Sequence, residues 1–358
     1  MAKRKTKQKI KIVSVLIIIV ALLAAGLFIF GKDKFKKSSN NDSGSKPSEK
    51  KKADKPKIKV INEDSTRRPF AVMINNLHVA RQMHSGLQDA YIVYEIIVEG
   101  GITRYMAIFE SDKDINRIGP VRSSRHYYLD YVLENDAIYV HNGYSPQAGN
   151  DFKALGIDRI EAEAPKTGVR ENPLKLAREH TLFTSTKLLN ENGVKSKRTE
   201  LKDKENPRLL KYSATPINLE GKEGAIAANT VKIPYSNSYR TSYTYDPEKQ
   251  VYKRLVNEKA HTDYRTKEQY TFKNIITYKV KNNNIKSPDG YQGRQEIHNI
   301  GSGEGYYITN GYAVPIKWEK SSRSAKTKYT YLDGTELVVN DGNTFIQIQP
   351  AEKQLTIE

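Results

Sequence analysis

Apolar and polar positions divide this chain into three stretches. From Ile12 to Gly31, twenty uncharged and mostly apolar residues run without a break. At ~1.5 Å rise per residue, a helix of that length spans roughly 30 Å, the thickness of a bilayer hydrocarbon core. From Lys32 to Lys57 the chain is Lys, Ser, Asn, Asp and Pro with hardly an apolar side chain, a composition that cannot offset the entropy of ordering. The remainder alternates between strand and helix patterns and then turns to strands alone. Pro69–Ile74 is a compact apolar run predicted to be a central strand. Tyr91–Glu99 and Ile102–Glu110 are strand-length runs joined by Gly100-Gly101, the composition of a tight hairpin turn. A helix is predicted through about Asn135, with Ser123 or Ser124 as its N-cap, followed by a strand from Ala137 to His141. Beyond about residue 212, Ser242–Asp246, Val251–Val256, Tyr270–Val280, Gly305–Trp318 and Thr327–Gln349 are rich in Tyr, Thr, Ile and Val. Asp-Gly and Asn-Gly turns at Asp289, Asn310, Asp333 and Asp341 punctuate them.

The expected fold is α+β. A basic tail (1–11) precedes a transmembrane helix (12–31, from Ile12 to Gly31) and a disordered linker (32–60). A mixed α/β sandwich domain (61–212) and a β-rich sandwich or barrel-like domain (213–358) follow. Six basic residues and no acid precede the apolar run, whereas four Lys and Asp33 follow it, which favours an inside N-terminus and an extracytoplasmic body. The run continues through Leu27-Phe28-Ile29-Phe30, longer than a cleaved signal requires, so an uncleaved anchor is expected. Leu27 stands where a lipid-bearing cysteine would follow Leu23-Ala24-Ala25-Gly26. The linker, acting as a flexible tether, has an r.m.s. reach of about 28 Å.

Composition narrows the chemistry. Among 358 residues there is no Cys, which removes disulfides, thiolate nucleophiles and Cys-type zinc sites. The net charge is +18, but sixteen Lys/Arg and four Asp/Glu lie within residues 1–57. That leaves 43 basic and 37 acidic residues in the body, a net +6. Two thirds of the excess is juxtamembrane and suits anionic lipid or wall polymer. No nucleic acid is expected, since no nucleic-acid-binding motif accompanies the charge. The seven His are scattered without ligand spacing, so no metal or other cofactor is expected. The partners expected are membrane lipid at the anchor and a cell-wall polymer, wall precursor or envelope protein at the body.

If Gly100-Gly101 is the whole hairpin loop, Glu99 faces Ile102, Ile97 faces Arg104 and Glu95 faces Met106. Glu95, Glu99 and Arg104 then share an otherwise apolar face. That pattern reads either as a recessed polar site or as an ion cluster at a sheet rim. Ile118-Gly119-Pro120-Val121-Arg122-Ser123-Ser124-Arg125 places two guanidiniums at a predicted helix start, an anion-binding arrangement unless Arg122 and Arg125 pair with acids of the same domain. His141, at a strand end, is a candidate for the same crevice. Arg254, His261 and Asp263 surround one predicted hairpin. No G-x-S-x-G, S-x-x-K or H-E-x-x-H motif is present.

Several of these motifs resemble one family. Arg68-Pro69 to Asn76, Ser85-Gly86, Ile92-Val93-Tyr94-Glu95, Glu99 to Arg104, Phe109, Ile118 to Ser123 and Arg125 are similar to the YerB-like proteins, catalogued as a domain of unknown function. So are Tyr245-Asp246, Tyr252, Arg254, His261, Asp263, Asn274-Ile275-Ile276, Gly301 to Gly305, Gly311, Trp318, Asp333-Gly334 and Gly342 to Ile346. The resemblance runs from about Arg67 to Pro350 and implies an envelope-associated protein with α/β and β-rich domains. It implies no activity. The chain departs from the family in its cysteine-free anchor, where many relatives resemble lipoproteins, and in Thr181, where Asn is expected. The resulting expectation is a membrane-anchored protein binding an anionic or carboxylate-bearing ligand through Arg104, Arg122, Ser123 and Arg125. Glu95, Glu99 and His141 shape the pocket. Two alternatives stand beside it: a wall hydrolase or transferase using Glu95, Glu99 and His141, and a scaffold engaging a partner by edge pairing of its β domain.

Overall fold

Six consecutive buried residues, Phe70–Asn75, form β1, the apolar strand anticipated at the start of the body. The structure is a computed structural model describing residues 56–358. The basic tail, the expected membrane span from Ile12 to Gly31 and the linker up to residue 55 lie outside the described residues. Among the described residues, no helix is long and apolar enough to cross a membrane. The body begins slightly before the expected linker end at 60. Backbone N–H groups of Lys59 and Val60 donate to the Asp341 carboxylate, and Ile58 and Val60 pack on the core.

After β1 come β2 (Ile92–Ile97), β3 (Thr103–Phe109), helix α1 (Tyr128–Glu134), β4 (Ile138–His141), helix α2 (Pro146–Ala154) and β5 (Arg159–Glu161). The later half contributes β6 (Thr230–Pro234), β7 (Arg240–Asp246), β8 (Val251–Val256), β9 (Asn274–Val280), β10 (Gly301–Thr309), β11 (Tyr312–Lys320), β12 (Lys328–Tyr331) and β13 (Thr344–Pro350). Shorter strands fill in between.

The strands on either side of residue 212 do not form separate sheets. One eleven-stranded sheet runs β12-β11-β10-β9-β13-β2-β3-β1-β4-β5, with Ile226–Ala227 against β11. The late strand β13 pairs in parallel with both β9 and β2, so it stitches the halves together. All seven of its residues are buried, as expected for a strand covered on both faces. The expected boundary even falls within a short strand, Lys211–Ser213, which pairs with Val338–Asn340. The described residues, 56–358, accordingly belong to one compact unit.

The second sheet is six-stranded. It runs Lys259–Ala260, β8, β7, β6, Thr356–Ile357, with Thr271–Phe272 against β8. It packs on one face of the long sheet, where Tyr243 meets Phe345 edge-on at 6.1 Å. Helix α1 covers the other face, and the Tyr128 hydroxyl donates to the Ile96 and Arg104 carbonyls. The expected sandwich therefore exists, but both halves of the chain build it.

Candidate functional site

The geometry of the β2–β3 hairpin decides where the predicted site residues point. Glu95 pairs with Tyr105, Ile96 with Arg104 and Ile97 with Thr103. The loop runs from Val98 to Ile102, closed by the Val98 N–H donating to the Ile102 carbonyl at 2.8 Å, rather than being Gly100-Gly101 alone. The register thus differs by one residue from the expected one, and a one-residue shift reverses every side chain. Glu95 faces the six-stranded sheet; Arg104 faces α1. Together with Glu99 in the loop, they do not share a face.

Glu95 lies at the centre of a buried polar chain. Its carboxylate accepts from Arg254 at 2.7 Å, with both side chains fully buried, and from the hydroxyls of Thr103 and Tyr239 at 2.6 Å each. Arg254 Nη1 donates to His261 Nδ1 at 2.7 Å. His261 Nε2 lies 2.7 Å from His84 Nδ1, and His84 Nε2 lies 2.6 Å from the Asn75 carbonyl. Only one set of tautomers satisfies this chain. A carbonyl cannot donate, so His84 carries its proton on Nε2, and its Nδ1 accepts from the Nε2–H of His261. Both rings are neutral. Burial, with a smaller push from Arg81 and Arg254 against the Asn75 bond, lowers His84 to about 3. Burial and the Arg254 charge also hold His261 well below the usual range. The chain ends on a backbone carbonyl and has no route for passing a proton onward. Of the polar trio read around one hairpin, Arg254 and His261 do meet. Asp263 instead accepts from the Gly86 N–H at 2.9 Å and the Tyr270 hydroxyl at 2.8 Å.

Glu99 forms a second centre. Arg125 grips it with Nε and Nη2, Arg294 donates at 3.1 Å and Arg104 Nη2 stands 3.7 Å away. Burial acts to raise the Glu99 pKa, but hydrogen bonding and charge from Arg125, with Arg104 behind, outweigh it and hold the carboxyl below its usual range. Arg104 is short of partners. Its Nη1 donates to the Ser123 carbonyl at 2.7 Å, and burial together with the Arg125 charge pulls it down to about 10.

The predicted helix start is absent from this loop. Helix α1 begins at Tyr128, and its N-cap residue Tyr127 makes no side-chain cap bond. Ser124 instead bridges to Tyr144, and its N–H donates to the Gly143 carbonyl. No helix dipole therefore points at Arg122 or Ser123. Arg122, about a quarter exposed, pairs with Glu179 at 3.1 Å. His141 ends β4 as expected, but its ring stacks on Phe152 of α2 at 5.0 Å and bonds to the Gly143 carbonyl and Arg159. Burial lowers it to about 4, only partly opposed by the Gly143 bond.

Sequence reasoning missed His84, Tyr239, Arg294 and the buried pair Glu134–Lys320, 2.8 Å apart. Each has a partner more than 140 residues away, and no local pattern signals these pairings. Among the described residues, no three His, Asp or Glu converge as metal ligands. A cavity of about 900 Å3 opens beside β12, with Arg208, Tyr212, Lys326 and Leu337 in its walls. Another of about 420 Å3 lies where the two sheets part. None of the seven predicted site residues lines either cavity.

Comparison with known proteins gives consistent results. The profile of "Protein of unknown function (DUF3048) N-terminal domain" matches residues 58–200, and that of the DUF3048 C-terminal domain matches residues 231–346. "Putative lipoprotein YerB" of Bacillus subtilis (strain 168) is 28% identical over 298 residues, covering 82% of this chain and 84% of that protein. A crystal structure of the YerB protein from Bacillus subtilis superposes with a TM-score of 0.65 at 26% identity, covering 82% of this chain and 94% of that one.

Proposed function

The chain belongs to the DUF3048 family, the YerB-like proteins, and from that premise we propose that it is a membrane-tethered envelope protein that binds a component of the envelope without transforming it. Tethering is supported by the apolar run Ile12–Gly31 and by a relative whose name describes a lipoprotein. The observation that carries the non-catalytic part of this reading is the state of the side chains best suited to catalysis. Glu95, His84, His261 and Glu99 are buried and hydrogen-bonded to one another or to neighbouring arginines. A general acid or base needs a free lone pair or proton within reach of substrate, and these have neither.

A second reading, recognition of an anionic or carboxylate group, draws on one observation. Arg104, Arg125 and Arg294 converge on the carboxylate of Glu99; Arg294 has a second acid in Asp289, whereas Arg104 makes its one close bond to a carbonyl. Surplus positive charge at Arg104, with Arg122 and Ser123 beside it, suits an incoming anion. The edge-pairing scaffold draws less support. The outer edge of β12 is already met by its own return segment, since the Tyr331 N–H donates to the Thr335 carbonyl and the Leu337 N–H to the Tyr329 carbonyl.

The test is to incubate the full chain, purified in a sugar-free detergent, with isolated cell-wall sacculi. Saturable co-sedimentation without released fragments is the expected result. Accumulating fragments would overturn the non-catalytic reading, and no co-sedimentation would overturn wall binding.

A further inference from the structure

The eleven-stranded sheet is wider than the six-stranded sheet that covers it, so a crevice forms where the smaller sheet ends. Its floor is set by register. Thr277 pairs with Tyr306 and with Gln347, and Lys279 with Gln349. Gln347 in turn pairs with Glu95. All of these side chains therefore project from the face on which the smaller sheet packs. At β6 and Thr356–Ile357 the cover stops, and Thr277, Gln349 and Tyr306 line a cavity of about 420 Å3 beneath Leu355. That volume is within the usual ~300–1,000 Å3 of small-molecule sites.

Two polar atoms on this floor have no partner among the described residues. Thr277 Oγ1 and Gln349 Oε1 are buried and make no hydrogen bond, in residues 1% and 0% exposed. Native interiors rarely leave such groups unsatisfied. Gln349 Nε2 is already committed to the Pro234 carbonyl at 2.9 Å, so its oxygen can only accept. Whatever completes this floor must donate a hydrogen bond to Gln349 Oε1, and at the Thr277 hydroxyl it can either donate or accept. The lining selects for no net charge, because Lys279 and Glu304 are its charged residues and their charges oppose. The walls add apolar surface from the Tyr306 ring and Leu355.

We propose that this crevice binds an amino-sugar unit of an envelope glycan. A pyranose ring presents a C–H face to Tyr306 and hydroxyl donors at its rim. An N-acetyl group adds an N–H donor for Gln349 Oε1 and a methyl group for the apolar wall. The inference deepens the binding function proposed above and rests on it.

The full chain in sugar-free detergent is titrated calorimetrically with the N-acetylglucosamine tetramer, and separately with an alanine tetrapeptide. Thr277→Val and Tyr306→Ala are measured in parallel, with urea midpoints and sacculus co-sedimentation recorded for each. Saturable binding of the tetramer is expected, weakened roughly tenfold by Thr277→Val, the equivalent of one lost hydrogen bond, and by a similar factor by Tyr306→Ala. The Thr277→Val midpoint should equal or exceed the parent's, since an unpartnered hydroxyl is removed. Tetramer binding indifferent to both variants would overturn the site, and so would tetrapeptide binding in its place. Absence of tetramer binding with co-sedimentation intact would overturn the crevice and leave the wider binding reading standing. Loss of both would overturn the two together.

Discussion

Glu95 and Arg254 show how a buried charged pair is held inert. Both are fully buried, and the desolvation of each charge is offset by the other and by the surrounding hydroxyls. A buried pair of this kind contributes little net stability as a pair, but removing one member strands the other. Glu95→Ala should therefore lower the unfolding free energy by about 3–5 kcal/mol, whereas Glu95→Gln with Arg254→Met should cost less than the two single changes summed. Urea denaturation of the four proteins checks this, and full additivity would show that the pair is not coupled. The histidines make a separate prediction about pH. His84 is ordinarily near 6.5 and sits at about 3 in the fold; His141 sits at about 4, and His261 shifts in the same direction. Above about 6.5 the folded and unfolded states are both neutral at these rings, and their contribution to stability is complete. As the pH falls below 6.5, the unfolded chain takes up protons that the folded chain refuses. Stability should then decline by up to about 1.4 kcal/mol per pH unit for each ring until the folded pKa is reached. Glu99, depressed in the fold, adds its loss only at lower pH, below the ordinary carboxylate range. Urea midpoints between pH 7.5 and 4.5 test the sign, and a flat profile down to pH 5 would contradict buried neutral rings.

The β2–β3 hairpin shows which parts of an element are legible in sequence. Both strands and the glycine turn stand close to where the apolar runs and Gly100-Gly101 put them, yet the register differs by one. The loop includes Val98, Glu99 and Ile102 as well as the glycines, and nothing in the local pattern distinguishes a two-residue loop from this longer one. That single residue separates Glu95 from Arg104, so a pocket assembled from both was never available. The helix after Arg125 was legible in kind but not in its start, because Tyr127 and Tyr128 anchor it through hydroxyl bonds to Ile97, Ile96 and Arg104, whereas Ser124 is held by the Gly143 turn. Tertiary contacts outweighed capping preference. By contrast, Asn310-Gly311 takes the positive φ values, 50° and 82°, that its composition predicts for a tight turn between β10 and β11. The hairpin loop can be tested directly, since Gly100 and Gly101 have φ of 70° and 69°. A Cβ at Gly100 would meet nothing within 4 Å, so Gly100→Ala should cost only the left-handed strain of about 1–2 kcal/mol. Gly101→Ala should cost more, because its Cβ would lie 3.0 Å from that of Ser236. Thermal melts of the two variants would contradict this loop if Gly101→Ala proved the milder.

Over the whole molecule, the halves separated by composition are joined by charge as well as by strands. Glu95 meets Arg254, Glu99 meets Arg294, Asp130 meets Arg323 and Glu134 meets Lys320. In each pair the acid comes from the earlier half and the base from the later. Sequence could not reveal this arrangement, because no local pattern links any of these acids to its distant base and only the insertion of β13 between β9 and β2 brings them together. The consequence is that neither half has a complete core. Without the later half, β2 exposes an unpaired edge of six residues that are buried in the whole chain, and four carboxylates each lose a basic partner. Without the earlier half, β13 loses the partner on one side and the Glu95-facing surface of β7 and β8 has nothing to cover. Division of the chain after Glu220, in an exposed loop that interrupts no strand, therefore gives a fair test. Fragments 56–220 and 221–358 should each lack a cooperative unfolding transition and associate non-specifically through unpaired edges. Mixed during refolding, they should recover a single transition and a 1:1 complex. A dispersed amide NMR spectrum from 221–358 alone would show that the β-rich half is a domain after all, and would turn the cross-half ion pairs from conditions of folding into contacts between two preformed bodies.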